Sequence, residues 1–261
     1  MTGGQVCCHI YDNRPAPLSC FFSNDDSSKI CYNVWVQIIG LGEIDAVAFD
    51  IDGTLYKNST FYLRMFPHFL KNIVFFKKYN EVHKILHNND ISDDFFKIQS
   101  ELLAEKLHTS PEKASEKLDE VIYSGLKKYF LQIKACKGVP ELICRLKNAG
   151  VKIALLSDFP PEQKGEIWGI KQYCDVLLST EKIGALKPST KPFKALSESL
   201  GVPPEKILYI GNNHTYDVLG PKKIGMKAAW FIPSVKYYFG DRSKDAVFTF
   251  CKYSQLENFI F

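Results

Sequence analysis

Short apolar runs, each bounded by polar residues or glycine, recur along this chain from residue 44 onward. The first, at residues 44–51, leads into Asp52 and Gly53, which is typical of a buried strand followed by a tight turn. Later runs of the same character lie at residues 151–156, 175–178, 207–210 and 228–232. Helical patterns separate these runs, and this alternation predicts a parallel sheet that is covered on both faces.

The predicted helix ends support this alternation. Residues 139–148 are followed by Gly150, and residues 192–200 are followed by Gly201. Glycine just beyond the last periodic residue is a frequent helix stop, because it adopts the left-handed backbone conformation without strain. In parallel sheets of this kind, ligands bind at the carboxyl ends of the strands.

Between residues 57 and 134 the strand pattern disappears. The clearest helical pieces lie at residues 61–79, 93–107 and 111–130. Ser110 ahead of Pro111 is a favourable helix start, because serine caps free N–H groups and proline suits the first helical position. We therefore expect a helical insertion between the first and second strands of the sheet.

Residues 1–42 differ from the rest of the chain. They are rich in cysteine, asparagine, serine and proline, and they sustain no hydrophobic period. A run at residues 34–39 suits one short strand. We expect a poorly ordered extension, and a regulatory or docking arm is the alternative.

The composition is that of an ordinary globular protein, with 261 residues of which 46% are hydrophobic and 24% charged. The net charge of +4 comes without a basic stripe, so we expect no nucleic-acid partner. Residues 61–79 are the most apolar helical segment, yet Arg64 and Lys71 make them too polar to cross a bilayer, and we expect no membrane partner. The oligomeric state has no signature in the sequence.

The first ten residues lack the cationic start and the long apolar stretch of a secretory signal. The 8 cysteines are therefore expected to be reduced thiols in a cytoplasmic protein. A zinc site in the first part of the chain is disfavoured, because Cys7, Cys8, Cys20 and Cys31 lack paired C-x-x-C spacing.

Two carboxylates, Asp50 and Asp52, close the first predicted strand, just before Gly53. A strand end is rigid, and the turn exposes both acids at the carboxyl edge of the sheet. There, one acid can attack a substrate while the other transfers protons. Like charges held close also drive the two pKa values apart. The structural alternative is an ordinary pair of acids in an Asp-Gly turn.

Three further polar residues follow later strands. Ser157 ends the second predicted strand, where a hydroxyl and nearby N–H groups can hold an anion. Lys187 precedes a helix and can place a positive charge on a phosphoryl oxygen. Asp217 follows the fourth strand and can complete an oxygen site for magnesium. Taken singly, Ser157 could be a helix cap, Lys187 a solvated lysine and Asp217 an acid in a turn. Their order at the ends of successive strands favours a shared site.

That ordered set resembles the haloacid dehalogenase-like hydrolase superfamily, in particular its phosphatase branch. The first motif is matched by Asp50-Ile51-Asp52-Gly53-Thr54, the second by Ser157, the third by Lys187 and the fourth, in part, by residues 211–217. The resemblance covers about residues 44–232. It implies an α/β fold: a Rossmann-like core with a parallel sheet of about five strands, and an inserted all-helical cap domain.

The implied domain boundaries follow from the position of the first motif. The core would comprise residues 43–56 and 136–261, and the cap would comprise residues 57–135, after an extension at residues 1–42. Only about thirty residues separate Ser157 from Lys187, which leaves no room for a cap at that alternative position.

The resemblance also implies a magnesium-dependent hydrolase of small phosphorylated metabolites. Asp50 would attack phosphorus and become an aspartyl-phosphate, while Asp52 would protonate the leaving oxygen and then activate water. The expected phosphate contacts are Thr54, Ser157, Asp158 and Lys187. The expected magnesium ligands are Asp50, the backbone carbonyl of Asp52, Asn212 and Asp217.

Asn212 departs from the family pattern, which has aspartate at this position. An amide oxygen carries less charge, so we expect weaker magnesium binding. This leaves a second hypothesis, a catalytically weakened member of the fold that binds a phosphorylated ligand or a partner. A third hypothesis is a dehalogenase, but such enzymes generally lack the acid equivalent to Asp52. That acid favours phosphate esters, because an alkoxide leaving group needs a proton and a halide does not.

The cap is expected to choose the substrate. Residues 60–66 enter it directly after the active-site turn, and there Arg64 is a candidate for contact with an anionic substrate. A solvated arginine is the alternative. The aromatic residues of this segment suit a nucleobase or a sugar, or form the cap's own core: Phe61, Tyr62, Phe66 and Phe69. A nucleotide, a sugar phosphate and a glycolate-type phosphate all stay open as substrates.

Overall fold

The computed structural model describes residues 37–38, 42–89 and 94–261. The chain divides into a unit of residues 1–32, which lies outside the described residues, and a unit of residues 33–261. Most of the expected extension, and most of its expected strand at residues 34–39, also lie outside them. The described part of this region is an antiparallel pair of β1 (Gln37–Ile38) and β2 (Gly42–Glu43).

The centre of the second unit is a parallel sheet. Within the described residues its six strands are β3 (Ala46–Phe49), β4 (Lys152–Ser157), β5 (Val176–Ser179), β6 (Ile207–Gly211), β7 (Lys227–Phe231) and β8 (Phe248–Phe250). Their spatial order is β5-β4-β3-β6-β7-β8, and neighbouring strands pair in parallel. The chain builds outward in both directions from β3, and ligands bind Rossmann-like sheets at such a switch point.

The strand β8 corrects the expected number of about five. The predicted runs correspond to β3 to β7, and β8 adds a sixth strand to the described sheet. It pairs with β7 through Phe250, which lies opposite Phe231. Only three residues long, the sequence Phe-Thr-Phe is too short to produce a recognisable pattern.

The segment between β3 and β4 is helical. It contains α1 (Asn58–Lys71), α2 (Ile73–Asn88), α3 (Phe95–Leu107), α4 (Pro111–Leu118) and α5 (Ser124–Phe130), with a π-helical turn at Asp119–Tyr123. As predicted, Ser110 caps α4 by accepting a hydrogen bond from the N–H of Lys113 at 3.4 Å. We call α1 to α5 the helical insertion. Its separate status as a cap domain at residues 57–135 stays a prediction.

One predicted helix is wrong in its extent. Over residues 58–88 of the described chain, the expected piece at 61–79 is divided into α1 and α2. The division occurs because Asn72 leaves the helical backbone region, with φ of −119° and ψ of 27°. Its N–H still bonds to the carbonyls of His68 and Phe69, so a single residue joins the two helices.

A π-helical turn at His214–Leu219 follows β6, and the remaining α-helices of the described chain lie between or after the strands of the sheet. They are α6 (Val139–Asn148), α7 (Thr180–Ile183), α8 (Thr190–Leu200), α9 (Gly220–Lys222), α10 (Ser234–Tyr238) and α11 (Tyr253–Ile260). The predicted stops of α6 and α8 are confirmed, because Gly150 and Gly201 have positive φ values of 80° and 61°. In the part of the chain that is described, none of the helices combines the length and the apolarity needed to cross a membrane.

Both faces of the sheet are buried, as the sequence predicts. Alternate residues of a strand face opposite sides, so Val47 and Phe49 of β3 join one hydrophobic cluster while Ala46 and Ala48 join another. The second cluster includes Phe193 of α8, and the small alanines leave room for that helix. Close packing on both sides holds the end of β3 rigid, and the residues that follow it carry the chemistry.

Candidate active site

Polar side chains converge at the carboxyl edge of the three central strands. Asp50 follows β3, Ser157 ends β4 and Asn212 follows β6, and these strands are neighbours in the sheet. Lys187 reaches the same edge from the segment between α7 and α8, although 137 positions separate it from Asp50. The fold thus brings together the motif residues that the sequence places far apart.

Two glycines allow this close approach. Gly53 has φ of +84°, and a Cβ atom there would collide with the side-chain amides of Asn58 and Asn212. Gly211 ends β6, where a Cβ atom would collide with the side chain of Asp217. Gly53 is therefore required by backbone conformation and by contact, and Gly211 is required by contact alone.

Asp50 is buried, with 4% of its surface exposed. One carboxylate oxygen accepts a hydrogen bond from Nζ of Lys187 at 2.7 Å, and the other accepts one from Oγ1 of Thr54 at 2.7 Å. Nζ of Lys187 also donates to Oδ1 of Asp217 at 2.8 Å. The ammonium group of Lys187 therefore lies between two buried carboxylates.

This environment shifts the pKa values of Asp50 and Lys187. Burial raises the pKa of Asp50 to about 7; Lys187 opposes the shift, while the charges of Asp217 and Asp52 add to it. Burial opposes the charge on Lys187, but Asp217 and Asp50 outweigh it and raise the pKa of the ammonium well above its usual range. Lys187 therefore stays charged, whereas Asp50 holds a proton at higher pH than an exposed aspartate does.

Asp52 lies in a different environment. Its carboxylate accepts hydrogen bonds from the hydroxyls of Tyr56 and Ser157, both at 2.7 Å, and lies 3.2 Å from the ammonium of Lys164. Burial opposes its ionisation, but Lys164 and the two hydroxyls outweigh burial and lower the pKa of Asp52. The pKa values of the two acids move apart, as expected, but Lys164, Tyr56 and Ser157, rather than mutual repulsion, lower that of Asp52.

Lys164 and Tyr56 are residues of this edge that sequence reasoning missed. Lys164 is 3% exposed, and its ammonium lies 4.8 Å from the ring centroid of Phe130. Its contact with Asp52 is an ion pair without a well-directed hydrogen bond. Lys164 follows β4 and Phe130 ends α5, so no local pattern reveals this contact. The spacing of Tyr56, four residues after Asp52, is the signal that could have identified it.

Backbone N–H groups hold Asp217, which is 1% exposed. Its Oδ2 atom accepts hydrogen bonds from the N–H groups of Asn212 at 3.1 Å and Asn213 at 2.9 Å. The side-chain amide of Asn212 donates to the backbone carbonyl of Asp52 at 3.3 Å. The four expected metal ligands are therefore linked, directly or through Lys187, at one edge of the sheet.

The chemistry of these residues suits a divalent cation. Among the described residues, no three His, Cys, Asp or Glu side chains form a ready metal cluster. The donors at this edge are instead carboxylates together with an amide and a backbone carbonyl, which are ligands that magnesium accepts. Burial is the main cause of the raised pKa of Asp50, the carboxylates of Asp217 and Asp52 add to it, and a cation at this edge would oppose it.

Three expected phosphate contacts have other partners in the structure. Thr54 and Ser157 are fully buried, and their hydroxyls donate to Asp50 and Asp52. The Oδ1 atom of Asp158 accepts a hydrogen bond from Oγ1 of Thr180 at 2.8 Å, and a carboxylate repels a phosphate. The phosphate contacts of Thr54, Ser157 and Asp158 therefore stay predictions.

Arg64 does not reach the site. Its side chain is exposed on α1, and its neighbours Tyr62, Met65 and Phe66 line the cavity in its place. The exposure of Arg64 favours the solvated arginine that the sequence left as an alternative. Contact between Arg64 and a substrate has no support in this geometry.

A cavity of about 740 Å³ opens over the carboxyl edge of the sheet. Its base consists of Asp50, Asp52, Lys187, Asn212 and Asp217. Its roof, from the helical insertion, consists of Phe61, Tyr62, Met65, Phe66, Phe69, Phe76, Tyr79, Ile122, Leu126 and Phe130. A volume of this size is usual for a site that binds a small molecule.

Comparison with known proteins places this chain in a family. A family model described as haloacid dehalogenase-like hydrolase matches residues 44–225. The pyrophosphatase PpaX of Halalkalibacterium halodurans is 25% identical over 191 residues, which cover 72% of this chain and 83% of that protein. An (S)-2-haloacid dehalogenase of a Pseudomonas species is 27% identical over 116 residues, which cover 43% of this chain and 50% of that protein.

The similarity extends to solved structures. The crystal structure of a HAD phosphatase from Thermococcus onnurineus matches with a TM-score of 0.55 and 22% sequence identity. The match covers 82% of this chain and 97% of the other. At this identity the likeness shows the fold alone, so the activity has to be argued from the residues of the site.

Proposed function

Because this chain belongs to the haloacid dehalogenase-like hydrolases, we propose that it hydrolyses small phosphate monoesters with Asp50 as the nucleophile. The observation that carries this proposal is the environment of Asp50. The carboxylate lies at the switch point of the sheet, Thr54 and Lys187 fix its two oxygens, and a second acid, Asp52, follows it.

The proposed reaction has two steps. In the first, a carboxylate oxygen of Asp50 attacks phosphorus, the bond from phosphorus to the leaving oxygen breaks, and Asp52 gives that oxygen a proton. In the second, Asp52 takes a proton from water, the water oxygen attacks phosphorus, and the bond between Asp50 and phosphorus breaks. Inorganic phosphate leaves, and both acids return to their starting states.

The residues around the two acids support these roles. Lys187 places a positive charge beside the attacking oxygen, where it can stabilise negative charge on the phosphoryl group. Thr54 fixes the orientation of the Asp50 carboxylate. The hydroxyl of Tyr56 donates a hydrogen bond to the Asp52 carboxylate, and the ammonium of Lys164 pairs with it. These contacts fix the position from which Asp52 would deliver its proton.

Magnesium is part of this proposal, with Asp50, the Asp52 carbonyl, Asn212 and Asp217 as the residues that would hold it. When bound, magnesium neutralises charge on the phosphoryl group and on its neighbours. The proposed reaction begins with Asp50 ionised and Asp52 protonated. Burial and the protein's own charges together favour the opposite protonation states, because they leave the pKa of Asp50 raised and that of Asp52 lowered. A cation beside Asp50 and a phosphate beside Asp52 would shift each pKa in the required direction.

Asp52 supports phosphate hydrolysis over removal of a halide, because only the former needs an acid for its leaving group. The alternative function is ligand binding by a catalytically weakened protein. It rests on Asn212, which is neutral and whose amide N–H contacts the Asp52 carbonyl. The fixed and buried contacts of Asp50 and Lys187 favour catalysis over this alternative.

We also propose a cytoplasmic protein that acts on a small phosphorylated metabolite, without a nucleic-acid or membrane partner. The mild net charge of +4 supports the absence of nucleic acid. Free thiols at Cys136, Cys144, Cys174 and Cys251 suit a reducing compartment.

Release of phosphate from p-nitrophenyl phosphate and from a panel of small phosphate esters tests this function. The assay is run with and without magnesium, and Asp50→Asn is the control for contaminating activity. We expect magnesium-dependent turnover that Asp50→Asn abolishes. Turnover that survives in Asp50→Asn would exclude Asp50 as the nucleophile. A lack of turnover at high magnesium would favour the binding alternative, and Asn212→Asp would then show whether activity was lost at that position.

A further inference from the structure

The roof of the cavity presents aromatic rings to whatever the phosphate carries. Tyr62 and Phe66 line the cavity with 59% and 53% of their surface exposed, and Phe69 lies on the same helix. Exposed rings of this kind bind a planar ring more favourably than a small aliphatic group, because both area and stacking contribute. The aromatic composition of the roof therefore favours an aromatic leaving group.

The charge of the cavity restricts the leaving group further. Among the described residues that line it, Lys187 is the one lysine or arginine, and it already lies between Asp50 and Asp217. Asp52 and Asp158 line the same space. A second anionic group on a substrate would find no further lysine or arginine in the described lining to pair with, so such a group is disfavoured.

The polar groups nearer the helical insertion are neutral. Asn58, Asn80 and Tyr79 line the cavity. The hydroxyl of Tyr79 is buried and has no hydrogen-bond partner among the described residues. Because that hydroxyl has almost no accessible surface, Tyr79 presents its ring to the cavity rather than a polar group. These groups suit an uncharged ligand and offer nothing that neutralises an anion.

We propose that the cavity selects phosphate monoesters whose leaving group is aromatic and uncharged. It discriminates against substrates whose leaving group is itself an anion, including inorganic pyrophosphate. This inference rests on the proposed phosphatase function. It sets this chain apart from the relative that is named a pyrophosphatase, with which it shares 25% identity.

Two matched pairs of substrates test the preference. Benzyl phosphate and 4-carboxybenzyl phosphate differ in the charge of the leaving group, while the methylene group keeps the reactivity of their leaving oxygens similar. Benzyl phosphate and ethyl phosphate differ in the ring. We expect kcat/KM for benzyl phosphate to exceed that for each of the others by about ten-fold, the usual scale of pocket discrimination. Pyrophosphate should be hydrolysed more slowly than benzyl phosphate.

A pair of variants then locates the source of the charge preference. Phe66→Lys places a cation in the roof, and we expect it to reduce the preference for benzyl over 4-carboxybenzyl phosphate by about ten-fold. Leu63→Lys is the matched control, because Leu63 lies on the same helix, is 78% exposed and does not line the cavity. We expect it to leave the preference unchanged. Since Phe66 is also exposed, neither substitution disturbs the buried core.

The outcomes separate the substrate class from the function. Hydrolysis of 4-carboxybenzyl phosphate or pyrophosphate at least as fast as benzyl phosphate would overturn the substrate class and leave the phosphatase function intact. Equal changes in Phe66→Lys and Leu63→Lys would overturn the role of the roof. If no ester or anhydride released phosphate, the phosphatase function itself would fall.

Discussion

The base and the roof of the cavity are built from different interactions. In the base, Asp50, Lys187 and Asp217 are joined by hydrogen bonds of 2.7 and 2.8 Å between buried charged groups. In the roof, rings pack on rings, as where Phe61 stacks on Phe130 with their centroids 4.5 Å apart. The base is therefore held by charged hydrogen bonds, and the roof mainly by packing between apolar side chains.

This difference implies a division of labour. In the proposed function, the base would contact the phosphoryl group, which all substrates share, and the roof would contact the leaving group, which distinguishes them. A change in the base should lower turnover of every ester to a similar degree, because it removes stabilisation of the shared transition state. A change in the roof should instead alter the ratio between esters.

Among the variants that keep both acids, the largest effect is expected from Lys187→Met, which removes the ammonium group of the base. It leaves Asp50 and Asp217 buried without their ammonium, and such a loss costs about 3–5 kcal/mol of folding free energy. We expect kcat/KM to fall about a hundred- to a thousand-fold for both benzyl and ethyl phosphate. Kinetics on the two esters and thermal melting measure these effects. Lys182→Met, at an exposed lysine of α7, is the control. A large change in the ratio of kcat/KM for benzyl phosphate to that for ethyl phosphate would show that the base also selects the leaving group.

Asp50→Asn separates catalysis from stability within the base. Because the pKa of Asp50 is raised from 3.8 to about 7, folded protein binds this proton more tightly than unfolded protein. The contribution of Asp50 to wild-type stability should therefore fall as pH rises from about 4 to about 7, by up to about 4 kcal/mol. Without magnesium, the gain in melting temperature of Asp50→Asn over wild type should be larger at about pH 8 than at about pH 5. A gain that does not grow with pH would mean that Asp50 is ionised throughout.

Asn212→Asp tests how the base would bind magnesium. It adds a charged oxygen ligand to the base, and we expect the magnesium concentration for half-maximal activity to fall by about ten-fold. A magnesium titration of kcat for benzyl phosphate measures this change, with Asn213→Asp as the neighbouring control. An unchanged half-saturation would show that residue 212 does not bind the metal.

The smallest effect is expected from Lys164→Met, which alters the base through Asp52. Since Lys164 lowers the pKa of Asp52, its loss should raise that pKa. The first step needs protonated Asp52, so the alkaline limb of the kcat/KM profile should move to higher pH. A pH profile on benzyl phosphate tests this shift against Lys171→Met, at a partly exposed lysine further along the chain. A limb that stays in place, or moves to lower pH, would rule out this role.

Much of the base could be predicted from the sequence, because its residues adjoin local patterns. Asp50 and Asp52 follow an apolar run that forms β3, and Asn212 follows another that forms β6. Parallel strands bring their carboxyl ends to one edge, so the positions of the motif residues follow from their order. Lys187 was found by the same reasoning, through its place ahead of α8.

The residues that contact the base, and the side chains that form the roof, were harder to predict. Lys164 follows β4, and tertiary packing places its ammonium against Phe130 at the end of α5 and beside Asp52. Such a contact has no local sequence pattern. Arg64 was a candidate from the sequence, yet its side chain is exposed. Helical periodicity alone does not show which face of a helix lines a cavity. The strand β8 was too short to give a pattern.

The most direct test is to detect phosphate on Asp50 itself. Wild-type protein turning over benzyl phosphate with magnesium is quenched in acid within milliseconds, digested and examined by mass spectrometry. We expect one phosphate on the peptide that carries Asp50, appearing and disappearing fast enough to support turnover, and no such adduct in Asp50→Asn. Steady phosphate release with no adduct on this peptide, or with the phosphate on another residue, would contradict nucleophilic attack by Asp50.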